Sequence, residues 1–408
     1  VETLLAMAHE MAGNMALASV SVLAAQVPAH FLRRLTLTDF RCYAHVRLEA
    51  DARCVVLTGP NGAGKTNILE AISYLAPGRG LRRARFSDVN RRDAGRGWAV
   101  AATVDGTPGG GIDIGTGTIS PDPNAPAPLE RRQVRIGGET MRGPAALAES
   151  LAMAWITPQM DRLFQEDGAS RRRFLDRLVY GVDPSHATRV ASYERALRER
   201  SRLLKSGQGG DQWVLALENS MAEYGVAIAA TRRDAVARLS VALQSATGPF
   251  PAALVDVEGT VEASLDDMAA LDAEQAFREA LSRTRGRDGE TGGAAVGPHR
   301  SDLAVTHLDK NLPARQCSTG EQKALLISIV LADARVGALR NGAAPLLLLD
   351  EIVAHLDETR RLALFEQVLE MGVQAWLTGT DKDVFAPLGA RALFLDVFDG
   401  AITGIQND

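Results

Sequence analysis

The hydrophobic positions change their period along the chain, and each change marks an expected element. Leu32, Leu35 and Leu37 lie in a short strand-like run, and residues 53–58 (Arg-Cys-Val-Val-Leu-Thr) form a second run apolar enough to be buried. A glycine-rich turn follows at 59–64, then a helical period from Lys65 to about residue 74. Residues 98–104 and 131–136 alternate as strands do, and the Gly- and Pro-crowded stretch 106–128 between them predicts a long loop. From about 161 to 285 the period is helical, with breaks at 181–184 and 207–210. Its longest uninterrupted part, 212–247, would make a helix of about 50 Å at ~1.5 Å per residue. Five glycines within 286–297 predict a hinge, and strand character returns at 303–306, 345–349 and 375–378.

Strand, glycine turn and helix in that order open an α/β nucleotide-binding domain. The expected fold is therefore an α/β head split by a mainly helical insertion, with no internal repeat. One lobe takes 30–160 and 291–408, and the helical second lobe takes 161–290. Residues 1–29 are an Ala- and Met-rich extension of unreadable purpose. No Lys or Arg precedes Arg33, so a secretory signal is not expected there.

Composition narrows the function. The 408 residues suggest two or three domains, and 46% apolar with 23% charged residues is ordinary for a globular protein. With 45 basic against 50 acidic residues, the net charge of -5 excludes binding nucleic acid through bulk positive charge, leaving only a local patch. No run approaches the ~18 apolar residues of a membrane span. Cys42, Cys54 and Cys317 form no CxxC pair, so a reduced, cytoplasmic compartment is expected.

The chemistry begins at Gly59-Pro60-Asn61-Gly62-Ala63-Gly64-Lys65-Thr66, which matches G-x-x-x-x-G-K-[ST]. Glycines let backbone N–H groups turn toward phosphate oxygens, and the helix start adds positive potential. Lys65 is placed on the β and γ phosphates of ATP, and the Thr66 hydroxyl on Mg²⁺. Only five of the basic residues are lysines, which sets Lys65 apart. The run 346–349, four leucines, ends in Asp350-Glu351. A parallel strand buried on both faces points its carboxyl end at the ligand crevice. Asp350 would hold Mg²⁺ opposite Thr66, and Glu351 would polarise the water that attacks the γ-phosphate. Ser318-Thr319-Gly320-Glu321-Gln322 precedes a helical period. Ser318 with Glu321 reads as a capping box, or as a phosphate-reading turn, given its place about thirty residues before Asp350. Phosphate loop, Ser-x-Gly-Glu-Gln turn and acidic strand end occur in the order of ABC-type ATPases.

Three further motifs make the resemblance specific. Phe40-Arg41-Cys42-Tyr43, Arg172-Arg173-Phe174-Leu175-Asp176 and Gly297-Pro298-His299-Arg300-Ser301-Asp302-Leu303 look like those of the RecF family. These are replication and repair ATPases related to SMC heads, and the resemblance covers about residues 31–400. The 253 residues from Lys65 to Ser318 suit a short helical arm, longer than a transporter ATPase needs and far shorter than an SMC arm.

The resemblance implies an ATP-dependent homodimer that binds DNA at gaps or single-strand/double-strand junctions. It further implies loading of recombinase on single-stranded DNA with the mediators RecO and RecR, support of the SOS response, and release on hydrolysis. In such a dimer Ser318, Gly320 and Gln322 close over the ATP held by another subunit. Asp357, in Ala354-His355-Leu356-Asp357, takes the place of the loop that communicates between subunits. Gln159 takes that of the glutamine sensing Mg²⁺ and γ-phosphate, or is an ordinary surface glutamine. After 375–378, where many ABC ATPases carry a histidine, the chain reads Gly379-Thr380-Asp381, so slow, timer-like hydrolysis is expected.

Arg79, Arg82, Arg83 and Arg85, with Arg91, Arg92 and Arg96, form the densest basic stretch and are the DNA-contact candidates. A solvated loop is the plain alternative. Arg195, Arg198, Arg202 and Lys205 form a second candidate on a helical face. No aromatic residues interleave with either cluster, which favours backbone recognition over base stacking. The rival functions are a transporter ATPase subunit, whose turnover would ignore DNA, and a nucleotide-dependent protein scaffold with weak DNA contact. An SMC-like nuclease would need a further acidic domain, and only 57 residues follow Glu351.

Overall fold

The computed structural model describes residues 30–91, 94, 97–106, 110–118, 132–207, 210–244, 248–341 and 345–404. The extension at 1–29, Arg92 and Arg96 lie outside them. The described chain forms two compact units, one of residues up to 158 together with 330–408, the other of 159–329.

In the first unit, β1 (Phe31–Phe40) turns through Arg41, at φ +54°, into antiparallel β2 (Tyr43–Glu49). The leucines at 32, 35 and 37 are buried. After β3 (Cys54–Thr58) and α1 (Lys65–Ser73), a single turn α2 (Phe86–Val89) leads to β4 (Ala99–Asp105), β5 (Ile112–Thr118), β6 (Arg132–Ile136) and β7 (Glu139–Thr140). The resulting sheet has the order β2-β1-β4-β5-β6-β7. Strand β5 lies in the stretch expected to be loop. Its alternation of Ile112, Ile114 and Thr116 is masked by Gly115 and Gly117, yet Gly117 has a packing reason. A Cβ there would stand 2.4 Å from the Trp98 carbonyl oxygen, so glycine is what lets β4 and β5 approach. The first unit's outbound chain ends in β8 (Met153–Ile156).

The second unit is built from α3 (Gly168–Val182), α4 (Ser185–Ser206), α5 (Asp211–Gln244), β9 (Ala253–Glu258), α6 (Thr260–Asp267), α7 (Ala270–Thr291), β10 (Asp302–His307) and β11 (Leu312–Pro313). Helix α5 has 34 residues, about 50 Å at ~1.5 Å each. Tyr193, Met221, Val226, Phe277 and Leu281 fill the space among α4, α5 and α7. Arg200 is fully buried there, and bonds Glu218 (3.0 Å), Asp288 (2.8 Å) and the Leu281 carbonyl (2.8 Å). The expected hinge is partly helix, because Gly286 and Gly289 lie inside α7, which ends at Gly292 with φ +76°. The strand expected at 303–306 pairs with β9, in the order β11-β10-β9. Residues 291–329 thus belong to the second unit's compact body, whereas the hydrophobic period alone put the return at 291.

Helix α8 (Thr319–Asn341) carries the chain back into the first unit. There follow β12 (Leu346–Leu349), α9 (Glu358–Glu370), β13 (Ala375–Gly379), β14 (Ala392–Phe398) and β15 (Ala401–Gly404). The sheet order is β15-β14-β3-β13-β12-β8. All pairs are parallel except β14 with β15, so five carboxyl ends share one edge. Those strands are nearly continuous apolar runs, as a sheet covered on both faces requires.

Candidate functional site

The phosphate loop joins β3 to α1 at that edge. Gly59 takes φ +143°, and a Cβ on it would fall 2.1 Å from the Val397 carbonyl oxygen of β14. Gly64, the residue before α1, takes φ +113°, and a Cβ there would meet the Tyr43 hydroxyl at 2.5 Å. Tyr43 itself is buried and donates to the Gly64 carbonyl at 3.1 Å. Both glycines are therefore required twice, by backbone sterics and by close approach. Lys65 starts the helix, and its ammonium donates to the Gly59 (2.6 Å) and Pro60 (2.8 Å) carbonyls. Burial pulls its pKa below the usual lysine value, while Glu351 and Asp350 oppose that shift.

Strand β12 delivers the carboxylates. Thr66 Oγ1 and Thr378 Oγ1 each donate to Asp350 Oδ1 at 2.9 Å. Burial raises the Asp350 pKa above the ordinary range; the two hydroxyl bonds and Arg82 act against it. Glu351 takes φ +50°, a left-handed conformation costly for a side chain with a Cβ. Its backbone N–H donates to Thr378 Oγ1 at 2.8 Å. One hydroxyl on β13 thus braces both acidic residues. Sequence reasoning missed Thr378: it looked in that region for a histidine, and only the parallel pairing of β12 with β13 brings Thr378 to the carboxylates. The Thr66 hydroxyl and Asp350 carboxylate are hard oxygen donors meeting beside the loop. They fit a Mg²⁺ ion that takes its other ligands from phosphate and water.

The other expected residues are placed as follows. Gln159 is exposed in a short 3₁₀ turn three residues past β8. Asp357 is exposed and caps α9, accepting from the Arg360 N–H at 2.9 Å. Ser318 and Glu321 form the capping box, Ser318 N–H donating to Glu321 Oε2 (2.9 Å) and Glu321 N–H to Ser318 Oγ (3.4 Å). Lys310 pairs with Glu321, and that bond with those from Ser318 pulls the carboxyl down to about 2. Gln322 is buried, its amide donating to the Cys317 carbonyl at 2.8 Å. Gly320 differs: it is exposed, and an added Cβ would meet nothing within 4 Å. Nothing among the described residues asks for glycine there.

The arginines diverge. Arg82 donates to Asn67 Oδ1 (2.8 Å) and to buried Glu70 (3.3 Å), side chains of α1, and its charge reaches Asp350. Glu70 also accepts from Arg41 at 2.7 and 2.9 Å, tying the β1–β2 turn to the same helix. Arg79 lies over the Phe86 ring at 5.8 Å. Arg83 and Arg85 are exposed. On α4, Arg195, Arg198, Arg202 and Lys205 share an exposed face, with Arg198 beside Glu194 and Arg202 beside Glu199.

The remaining motifs meet one another inside the second unit. Arg171 makes a two-bond pair with Asp302 (2.7 Å each), and Arg172 donates to the Ser301 carbonyl at 2.6 Å. Buried Arg232 bridges Asp176 (2.8 and 3.0 Å) to the Pro298 carbonyl (2.6 Å). His299 Nε2 donates to the Ala294 carbonyl (3.0 Å), which leaves Nδ1 to accept from the Tyr193 hydroxyl (2.7 Å). Burial lowers its pKa to about 4, so the ring is neutral.

Residues 31–388 match the RecF/RecN/SMC N-terminal domain family. Two relatives named DNA replication and repair protein RecF, from Mesorhizobium japonicum and Brucella suis, are each 48% identical to the chain. The alignments span 373 and 380 residues, 91% and 92% of this chain and 97% and 96% of theirs. The chain belongs to the RecF family. The RecF fold is shown independently by a solved recombination mediator protein RecF, described with ATP in the RecFOR pathway. It superposes with a TM-score of 0.78 at 19% identity, over 93% of this chain and 99% of that one. An Smc head domain from Pyrococcus furiosus follows at a TM-score of 0.51 and 16% identity, over 92% and 96% of the two chains. The first unit is therefore an ABC-type ATPase head of the kind RecF shares with SMC proteins. Among the described residues no helix is long and apolar enough to cross a membrane.

Proposed function

We propose that this chain is an ATP-gated DNA-binding protein of replication and recombinational repair, active in the cytoplasm. The observation that carries the reading is the convergence of Thr66, Asp350, Thr378 and Glu351 beside the phosphate loop of a RecF-family chain. Loop N–H groups and Lys65 bind and orient the triphosphate, and Thr66 with Asp350 holds the Mg²⁺ that would neutralise its β and γ oxygens. Glu351, fixed by its strained backbone and the Thr378 bond, takes the proton of the attacking water. Gln159 and Asp357 are assigned to γ-phosphate sensing and to the subunit-contacting loop.

Two copies close head to tail in this reading, each presenting Ser318 and Gly320 to the other's ATP. The open space at Gly320, in the first turn of α8, supports that, because an added Cβ there would meet none of the described residues within 4 Å. The closed dimer holds gapped duplex or a single-strand/double-strand junction, works with RecO and RecR to load recombinase on single-stranded DNA, and releases on slow hydrolysis. Arg83 and Arg85 are the DNA contacts of choice, while Arg82 is engaged at the nucleotide site.

The test is fluorescence anisotropy of gapped duplex with Glu351→Gln, in ATP and then in ADP. Binding tight in ATP, weak in ADP and lost in the further variant Ser318→Arg is the expected result. Equal binding in both nucleotides would remove the gating and favour the scaffold.

A further inference from the structure

The strand order dictates which way a nucleotide lies across the loop. Asp350 and Glu351 follow β12, on the β13 side of β3, so the γ-phosphate and its cation lie on that side. The base must then project to the other side of β3, where the neighbouring strand is β14. Strand β14 runs parallel to β3 with Asp396 level with Thr58, so its last residue, Phe398, stands beside the beginning of the phosphate loop. The hairpin there is fastened to the loop: Gly400 N–H donates to the Ala63 carbonyl at 3.3 Å, and the Val397 carbonyl abuts Gly59. Its backbone is fixed, yet the Phe398 ring is 69% exposed.

We propose that Phe398 is the platform on which the purine base of the bound nucleotide stacks. This rests on the reading of residues 59–66 as the ATP loop. The division of labour follows from chemistry. The loop, Lys65 and the cation recognise the triphosphate, and the ring recognises the flat face of the base. A π-face contact is indifferent to the hydrogen-bonding edge, so it serves ATP and GTP alike and separates both from inorganic polyphosphate.

The experiment is calorimetric titration of the full chain with Mg²⁺ and ATP, GTP or inorganic tripolyphosphate, for the wild type, Phe398→Ala and Phe398→Tyr. Loss of the ring is expected to weaken ATP and GTP on the order of tenfold, with tripolyphosphate unchanged and Phe398→Tyr like the wild type. The exposed position makes misfolding of these variants a minor concern, and the tripolyphosphate titration checks it directly. Unchanged ATP affinity in Phe398→Ala, or an equal loss for tripolyphosphate, would overturn the platform while leaving the loop's role intact. A wild-type chain that bound neither ATP nor tripolyphosphate would instead remove the nucleotide reading underneath.

Discussion

A threonine decides the geometry of the acidic pair. Thr378 accepts from the Glu351 N–H and donates to Asp350, so it holds a residue at φ +50° that would otherwise relax. Replacing it by valine keeps the shape and removes both bonds. Single-turnover ATPase of Thr378→Val is expected to fall roughly tenfold, with ATP affinity nearly unchanged, since a lost positioning bond is about 1–1.5 kcal/mol of barrier. A loss confined to ATP affinity would show that the hydroxyl serves binding instead. The phosphate loop was legible from the sequence because its chemistry is contiguous: six residues and a helix start contain the whole device. Thr378 was not, because its partners are 27 and 28 positions away and meet it only through strand pairing. The Glu70 contact of Arg82 was illegible for a related reason, since a dense basic run says nothing about the acidic side chain that one of its members faces.

The helices of the second unit are locked by buried charge. Arg200 holds Glu218 and Asp288 where water cannot reach them, so Arg200→Met removes a buried charge from between two carboxylates. It leaves Glu218 to Arg285, and Asp288 to the Thr284 hydroxyl and the Ala295 N–H. Urea unfolding followed by circular dichroism should show a loss of about 3–5 kcal/mol, larger than for an exposed arginine such as Arg195. His299 makes the same unit sensitive to acid. Its folded pKa of about 4 lies below the ordinary histidine value of 6.5, so the unfolded chain binds the extra proton. Stability is full above about pH 6.5 and falls as pH drops toward 4. The urea midpoint should therefore decline across that window, and decline less in His299→Asn; equal declines would exonerate this ring. Element types were well marked by period where amphipathic helices run long, as in α5. They failed where glycine lies inside an element and not at a turn: Gly117 hid β5, where it lets β4 approach, and Gly286 with Gly289 made the end of α7 look like a hinge.

A net charge of -5 sets the terms on which the protein meets DNA. Affinity must come from a few arginines working against an overall repulsion, so its salt dependence should count the arginines that meet phosphate. With Glu351→Gln and ATP, the slope of log affinity against log salt should shrink by about 0.9 for each of Arg83→Ala and Arg85→Ala, if each meets one phosphate. Unchanged slopes would transfer the contact to the α4 face at Arg195 and Arg202. Sedimentation of the same variant should show monomer without ATP, dimer with it, and monomer again after Ser318→Arg. The two-unit plan was evident in the sequence as a helical insertion within an α/β head. The boundary near 329 was not, because α8 runs through it without a break and β9 to β11 look like any other short strands.

The interrupted layout also governs how the chain must be made. Strand β3 is five buried residues whose two neighbours are β13 and β14, more than 300 positions downstream. The second unit is continuous and can fold while synthesis proceeds. The head cannot, because about 340 residues separate Thr58 from Phe398, roughly 20–70 s at ribosomal speed. Through that interval the newborn chain carries an unpaired apolar strand with both hydrogen-bonding edges open. A stop before residue 375 leaves it so permanently, and one between 380 and 391 still leaves the β14 edge open, which makes late truncations of this protein hazards for aggregation and not merely inactive fragments.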